Sequence, residues 1–243
     1  MSRPLRALLL AAGLGTRLRP LTLHTPKCLV SIGGEPLLGR WLRQLEAAGC
    51  EAVLVNTHHL AEQVKSFLEG WRCDGMAVHS VHEADLLGTA GTLLANQAFF
   101  KEATGLLVHA DNAMAENLGG LLEAHRQRPA ECLLTMLTFR TNQPRSCGIV
   151  ATDGRGVITA FHEKVADPPG DCANGALYCF DSEFLAFLNT MCPLPSDFSS
   201  EVIPRLLGRI NTWYTSRPYL DIGTPVALED AQGLIEPLAG RPA

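Results

Sequence analysis

Short apolar runs alternate with segments of helical spacing along the first half of the chain. The continuous apolar run at residues 7–11 is typical of a strand buried on both faces. In residues 36–48 the apolar positions 37, 38, 41, 42 and 45 share one side of a helix. The same reasoning predicts strands at 52–56, 76–82 and 105–109, and helices at 60–68 and 89–99. This alternation predicts an α/β fold with a doubly wound, mostly parallel sheet.

After Pro129 the alternation gives way to strand patterns. We predict strands at 132–139, 148–152 and 174–180, a turn at 153–156, and helices at 183–189 and 199–207. Neither a low-complexity linker nor an internal repeat separates the two halves. The sequence therefore predicts one domain over residues 1–243, in which the later half inserts strands beside the first.

Composition narrows the classes of protein that need to be considered. The chain is 47% hydrophobic and 19% charged, so it can fill a core without metal or disulfide staples. Its formal net charge of -5 argues against broad nucleic-acid binding. The eight cysteines include no CxxC pair and give no zinc-finger spacing. No stretch approaches the roughly 20 apolar residues that a membrane span needs, and we expect a cytoplasmic protein.

A glycine-rich loop follows the first predicted strand. Residues 10–22 read LAAGLGTRLRPLT, and Pro-Lys follows at 26–27. Glycines at the end of a parallel strand let backbone N–H groups approach phosphates. The loop is not a Walker A motif, and the third glycine of a dinucleotide fingerprint is replaced by Leu18. It carries two cations, Arg17 and Lys27, which suit a reaction that develops charge on phosphate oxygens.

This loop resembles the signature of the sugar-phosphate nucleotidyltransferases, which include mannose- and heptose-1-phosphate guanylyltransferases and glucose-1-phosphate uridylyl- and thymidylyltransferases. Further motifs follow in that family's order: GTAGT at 88–92, ADN at 110–112, FHEK at 161–164, NGALY at 174–178, FSSEVIP at 198–204 and DIGTP at 221–225. The resemblance implies a Rossmann-like sheet with an inserted sugar-binding β region. It also implies Mg²⁺ as cofactor, and an NTP and a sugar-1-phosphate as substrates.

The resemblance assigns roles to individual residues around the phosphates. Asp111 and Asp221 would hold Mg²⁺, which prefers hard oxygen ligands. Arg17 and Lys27 would steady the triphosphate, and Asp111, Arg17 and Lys27 form the predicted catalytic set. The loop residues predicted to contact the nucleotide are Ala11, Ala12, Gly13, Gly15 and Thr16.

The sugar side is predicted from the later motifs. Glu163 and Asn174 would bind sugar hydroxyls, Lys164 would bind the sugar phosphate, and Gly148 would bring the backbone close to the sugar ring. Val165 departs from the family, which commonly has proline at this position.

The resemblance places Glu83, Gly88 and Thr89 against the base of the nucleotide. A carboxylate offers acceptors only, and guanine presents two adjacent donors, so Glu83 favours GTP. Asp85 is an alternative base-reading residue, and uridylyl or thymidylyl transfer is the alternative activity.

Two other kinds of protein could carry a glycine-rich loop on an α/β fold. A non-catalytic nucleotide-sugar sensor would be favoured by loss of Arg17, Lys27, Asp111 or Asp221, and all four are present. A nicotinamide-dependent oxidoreductase lacks support because Asn56, Thr57 and His58 supply no ribose-binding acid after the second strand. We expect no C-terminal β-helix after Asp221. The sequence does not identify the sugar, and a homodimer is one option for the oligomeric state.

Overall fold

The computed structural model describes residues 3–234, which form an α/β fold with a mixed, mostly parallel central sheet, as the sequence predicts. The chain divides into two compact units that are interleaved in sequence. Unit one takes the described residues up to Leu8, Leu87–Val108 and Leu118–Ser216. Unit two takes Leu9–Leu86, His109–Asn117 and the described residues from Arg217 onward. The prediction about a further C-terminal domain lies outside the described residues.

The strands are β1 (Leu5–Leu10), β2 (Ser31–Ile32), β3 (Glu35–Pro36), β4 (Cys50–Thr57), β5 (Ala77–His82), β6 (Thr104–His109), β7 (Asn112–Met114), β8 (Leu134–Arg140), β9 (Gly148–Thr152), β10 (Ile158–Glu163), β11 (Cys172–Phe180), β12 (Ile210–Tyr214) and β13 (Tyr219–Asp221). The α-helices are α1 (Leu37–Ala47), α2 (Ala61–Gly70), α3 (Gly88–Ala95), α4 (Gly119–Arg126), α5 (Ser182–Asn189) and α6 (Pro225–Leu234). No helix in the described part of the chain is long and apolar enough to cross a membrane.

Unit one is built on strands in the order β10-β9-β11-β6-β1, with β8 beside β11 and β12 beside β8. Strand β11 is antiparallel to β6, β8 and β9, whereas β12 runs parallel to β8. A row of aromatic rings fills the core of this unit: Tyr178, Phe198, Phe184 and Phe180 lie 4.4–5.8 Å apart between successive centroids. These contacts fix β11, which carries the predicted sugar-binding Asn174, against α5 and the segment after Asp197.

Unit two contains the carboxyl end of β1, with β4 next to it and β5 parallel to β4. Helix α1 buries its apolar side, as its spacing predicts. Two polar side chains of α1 bond the short strand β7: Trp41 Nε1 donates to Asn112 O at 2.8 Å, and Gln44 Nε2 donates to Met114 O at 2.8 Å. Strand β7 pairs in turn with β13. The helix therefore anchors a two-stranded ladder that carries an acidic residue at its end.

The structure corrects the predicted helix at 199–207. Residues Phe198–Val202 form a π-helical turn, and Ile203–Leu206 form a 3₁₀-helix. Pro204 lacks a backbone N–H and stands at the start of the second turn, so it cannot continue an α-helical hydrogen-bond ladder. The predicted helix at 89–99 likewise ends at Ala95 and is followed by a 3₁₀ turn at Gln97–Phe100.

Several elements were not predicted: β2, β3, β7, β10, β12, β13, α4 and α6. Strands β7 and β13 are three residues long and too short to show a periodic pattern.

Candidate active site

The glycine-rich loop turns sharply at Gly15. This residue has a φ of 60°, and a Cβ there would lie 2.8 Å from Thr22 Cγ2, so glycine is required. Its carbonyl oxygen accepts from Thr22 Oγ1 at 2.7 Å and from the N–H of Leu18 at 2.9 Å. These bonds pin a short 3₁₀ turn at Thr16–Leu18, and this turn carries Arg17.

A cavity of about 310 Å³ lies beside this loop, within unit two. Its lining residues are Gly13, Leu14, Gly15, Thr16, Arg17, Lys27, Asp111 and Gly223. The structure therefore brings together three of the predicted nucleotide-binding residues and all three predicted catalytic residues.

The two predicted metal ligands meet through the β7–β13 ladder. Asp221 pairs with Asn112, and the N–H of Ile222 donates to Asp111 O at 3.0 Å. Lys27 Nζ then bonds both carboxylates, at 2.5 Å to Asp111 Oδ2 and 3.4 Å to Asp221 Oδ1. A single cation thus bridges two side chains that are far apart in sequence.

The burial of Lys27 and its contact with Asp111 set the electrostatics of the cavity. Lys27 is only 7% exposed. Burial by itself raises the pKa of Asp111, but the charges of Lys27 and His109, with the hydrogen bond from Lys27, bring that pKa below its usual value. The Asp111 carboxylate is therefore ionised at neutral pH and available to a cation.

Arg17 approaches the same pair from the solvent side. Its side chain is 62% exposed, and Nη2 lies 3.7 Å from Asp221 Oδ2. Gly223 lies directly against it, because a Cβ at that position would be 2.7 Å from Arg17 Nη2. The missing side chain of Gly223 leaves room for Arg17 at the mouth of the cavity.

The donor set fits Mg²⁺. In proteins Mg²⁺ is commonly held by one or two carboxylates together with substrate phosphates and water. Asp111 and Asp221 already share one cationic partner, and the described residues contain no group of three or more His, Cys, Asp or Glu side chains that could hold a metal alone. The arrangement suits a magnesium ion that brings its phosphate ligands with it, and Mg²⁺ itself stays a prediction.

Glu83, the predicted base reader, is buried at 5% exposure. Its Oε1 accepts from Asn56 Nδ2 at 3.0 Å, while Asn56 Oδ1 accepts from the N–H of Ala11 at 2.7 Å. The Ala11 N–H is therefore already bonded within the protein, so Ala11 would contact a nucleotide through other atoms. Ala11 and its neighbour Ala12 are both buried. Asn56 was not among the predicted site residues.

The predicted base contacts Gly88 and Thr89 lie in unit one, at the start of α3. Gly88 has a φ of 77°, and a Cβ there would collide with Ser196 O. That carbonyl oxygen accepts from the N–H of Ala90 at 2.9 Å. Thr89 Oγ1 accepts from the N–H of Phe198 at 2.7 Å. The hydroxyl of Thr89 thus holds the segment after Asp197 in place, a role that the sequence did not suggest.

Three of the predicted sugar residues lie together at one end of the β9–β10 pair in unit one. Gly148 pairs with Glu163, and a Cβ at Gly148 would be 2.6 Å from Glu163 Oε2. Lys164 Nζ lies 3.1 Å from Glu163 Oε1, and the N–H of Lys164 donates to Cys147 O at 3.2 Å. The glycine therefore leaves space that the Glu163 carboxylate occupies.

Asn174 is held on the neighbouring strand β11. Its Nδ2 donates to Tyr178 Oη at 2.8 Å, and its Oδ1 accepts from the N–H of Ala176 at 2.9 Å. Burial raises the pKa of Tyr178 above its ordinary value, so the phenol keeps its proton. Tyr178 fixes the orientation of the Asn174 amide, and this partner was not predicted.

The cavity brings a glycine-rich loop, two cations and a carboxylate together on an α/β fold. A sequence model of the family described as "Nucleotidyl transferase" matches residues 6–236. The chain belongs to the nucleotidyl transferase family, which confirms the resemblance to sugar-1-phosphate nucleotidyltransferases.

The curated relatives are longer than this chain. It is 30% identical to the mannose-1-phosphate guanylyltransferase of Mycobacterium tuberculosis, over 98% of this chain and 66% of the relative. It is 28% identical to the UTP–glucose-1-phosphate uridylyltransferase of Synechocystis, over 84% of this chain and 55% of the relative. A Bacillus anthracis structure assigned as a glucose-1-phosphate thymidylyltransferase is 20% identical, with a TM-score of 0.86 and 98% of both chains covered, and shows the fold.

Proposed function

We propose that this chain joins an NTP to a sugar-1-phosphate, giving a nucleotide sugar and pyrophosphate. One observation carries the proposal: Lys27, which lines the cavity together with the glycine-rich loop, Arg17 and Asp111, bridges Asp111 to Asp221. Two cations beside a glycine-rich loop, with a divalent cation that the two carboxylates would hold, can neutralise the charges of a polyphosphate.

The chemistry is an in-line displacement at phosphorus. An oxygen of the sugar-1-phosphate attacks the α-phosphorus of the NTP, and the bond to the β-phosphate oxygen breaks as pyrophosphate leaves. The attacking phosphate is already ionised, so no general base is needed. Mg²⁺ held by Asp111 and Asp221 would supply positive charge to the triphosphate. Lys27 and Arg17 would stabilise the charge that grows on the phosphate oxygens in the transition state.

The sugar side would be handled by the residues of unit one. Glu163 would accept from sugar hydroxyls, Asn174 would donate to them, and Lys164 would pair with the sugar phosphate. Lys164 Nζ lies 3.1 Å from Glu163 Oε1, so the phosphate of the sugar substrate would compete with Glu163 for this cation.

GTP is the proposed nucleotide. The mannose-1-phosphate guanylyltransferase relatives support this choice, whereas the uridylyltransferase of Synechocystis supports the alternative. We expect pyrophosphate release, measured with four NTPs against a panel of sugar-1-phosphates, to give the highest kcat/KM with GTP. A higher kcat/KM with UTP or dTTP would contradict the base assignment and leave the reaction class intact. Release with no pair of substrates would favour a nucleotide-sugar sensor.

Substitutions on the sugar side are expected to separate the two substrates. Glu163→Gln and Asn174→Ala should each raise the KM for the sugar phosphate about tenfold, the effect of about 1.4 kcal/mol, because the first removes the charge of an acceptor and the second removes the amide. The KM for the NTP should stay nearly unchanged. The matched control is Glu131→Gln, since Glu131 also pairs with a cation in unit one, Arg155, at 2.8 Å. Equal losses for both substrates would indicate a structural role instead.

The cytoplasmic location and the homodimer belong to this proposal as predictions from the sequence. Sedimentation of the purified chain gives its mass in solution and so tests the homodimer. The mass of a single chain would contradict it.

A further inference from the structure

Asn56 is a polar side chain at 3% exposure near the carboxyl end of β4. It bonds two groups that lie far apart in sequence. Its Oδ1 accepts from the N–H of Ala11, the first residue after β1, and its Nδ2 donates to Glu83 Oε1. Both partners border the predicted nucleotide site.

The chemistry of the three groups fixes how the amide is oriented. A carboxylate has acceptors only, so the NH₂ of Asn56 has to face Glu83. The Asn56 oxygen then faces Ala11, whose backbone N–H is a donor only. A reversed amide would place oxygen against carboxylate and NH₂ against N–H, which is repulsive at both ends.

The bonded N–H belongs to a peptide unit with a second role. The carbonyl oxygen of Leu10 lies in the same planar unit as the N–H of Ala11, and it accepts from the N–H of Ala110 at 3.1 Å. Ala110 directly precedes Asp111. A continuous hydrogen-bonded path therefore runs from Glu83 through Asn56 and one rigid peptide plane to the residue before the candidate metal ligand.

We propose that Asn56 is a positioning residue, oriented by Glu83, that fixes this peptide plane and with it the start of the phosphate loop and Asp111. Glu83 acts through Asn56, and it need not touch the base. The inference rests on the proposed function in one respect, that the cavity takes the phosphate chain of an NTP. Its ligand class is a polyphosphate, with or without a nucleoside.

The test uses Mg²⁺ with inorganic triphosphate, a probe that carries neither base nor sugar. Its affinity for the purified full chain is measured by calorimetry at mildly alkaline pH. Asn56→Asp keeps an acceptor for Ala11 but sets a carboxylate against Glu83, and we expect about tenfold weaker binding. Glu83→Gln still offers an oxygen to Asn56, and we expect binding close to that of the unsubstituted chain.

The double variant Asn56→Asp, Glu83→Gln provides the decisive comparison. The glutamine NH₂ can now donate to the new carboxylate, so the bond returns with donor and acceptor exchanged. We expect triphosphate affinity to recover, and kcat with GTP to recover alongside it. Thr57→Val is the control, because Thr57 is the buried neighbour in β4 and its hydroxyl bonds Val81 O, away from Ala11.

Four results would overturn the inference. The first is unchanged triphosphate binding in Asn56→Asp that folds with normal thermal stability. The second is a double variant that binds no better than Asn56→Asp. The third is a chain that binds no triphosphate at all. The fourth is a change in NTP ranking in Glu83→Gln alone, which would assign Glu83 to the base and not to the orientation of Asn56. If the variants bind triphosphate as expected but the chain transfers no nucleotide, the proposed function is refuted and the role of Asn56 stands.

Discussion

Asp111→Asn is expected to lower kcat by about a hundredfold to a thousandfold, the range found when one group that stabilises transition-state charge is removed. The substitution keeps the size of the side chain but removes the charge that Lys27 and a metal ion would share. Activity should also depend strictly on a divalent cation, and the concentration of Mg²⁺ needed for half-maximal activity should rise in the variant. Steady-state kinetics over a magnesium titration measure both effects.

The control for Asp111→Asn is Asp74→Asn, which changes an exposed carboxylate of unit two. The backbone N–H of Asp74 donates to Glu46 Oε1, a bond that the substitution leaves in place. Its kinetics should match those of the unsubstituted chain. Thermal unfolding of the Asp111 variant shows whether the fold survives. Full turnover in EDTA, or an Asp111 variant with unchanged kcat, would contradict the role of the carboxylate pair.

Arg17→Ala is expected to lower kcat by about a hundredfold while the KM for the NTP rises only a few-fold. The guanidinium is largely exposed and pairs with Asp221 at the mouth of the cavity, so it can reach charge that grows on the departing phosphates. Stability should hardly change because an exposed ion pair contributes little. Steady-state kinetics in both substrates separate the two constants.

Gly223→Ala gives an independent measure of the same contact. The added methyl group would occupy space now used by the Arg17 guanidinium, so the flexible side chain has to move and kcat should fall less than in Arg17→Ala. Arg19→Ala is the matched control, since Arg19 is also exposed and lies two residues further along the loop. If Arg17→Ala raised only the KM for the NTP, Arg17 would contribute to binding of the NTP and not to stabilising the transition state.

The fold class and the cation-bearing loop could be predicted because their signals are local. Continuous apolar strands, a helical spacing in α1 and a glycine-rich loop after β1 all follow from short-range sterics and burial. The motif order then indicated which carboxylates to consider. The meeting of Asp111 with Asp221 was an expectation from resemblance, and its physical cause is the β7–β13 ladder, which no periodic pattern announces.

Other parts of the site depend on long-range partners that single-residue reasoning does not find. Asn56 looks like an ordinary strand residue until Ala11 and Glu83 are placed beside it. Tyr178 looks like a core aromatic residue, and only the structure shows that its hydroxyl orients Asn174. Ser196 contributes a backbone carbonyl to the first turn of α3, a role that does not depend on its side chain. In each case tertiary contacts, not local pattern, decide what the residue does.

Transfer of a radiolabel from the α-phosphate of GTP into a nucleotide sugar tests the central claim most directly. GTP radiolabelled at the α-phosphorus is incubated with the purified chain, Mg²⁺ and the sugar-1-phosphate that gives the fastest pyrophosphate release. The account predicts label in a nucleotide sugar, one pyrophosphate formed for each labelled product, and loss of both in Asp111→Asn. Label that stays in GTP, or appears in free GMP or GDP at the same rate without the sugar phosphate, would contradict nucleotidyl transfer by this chain.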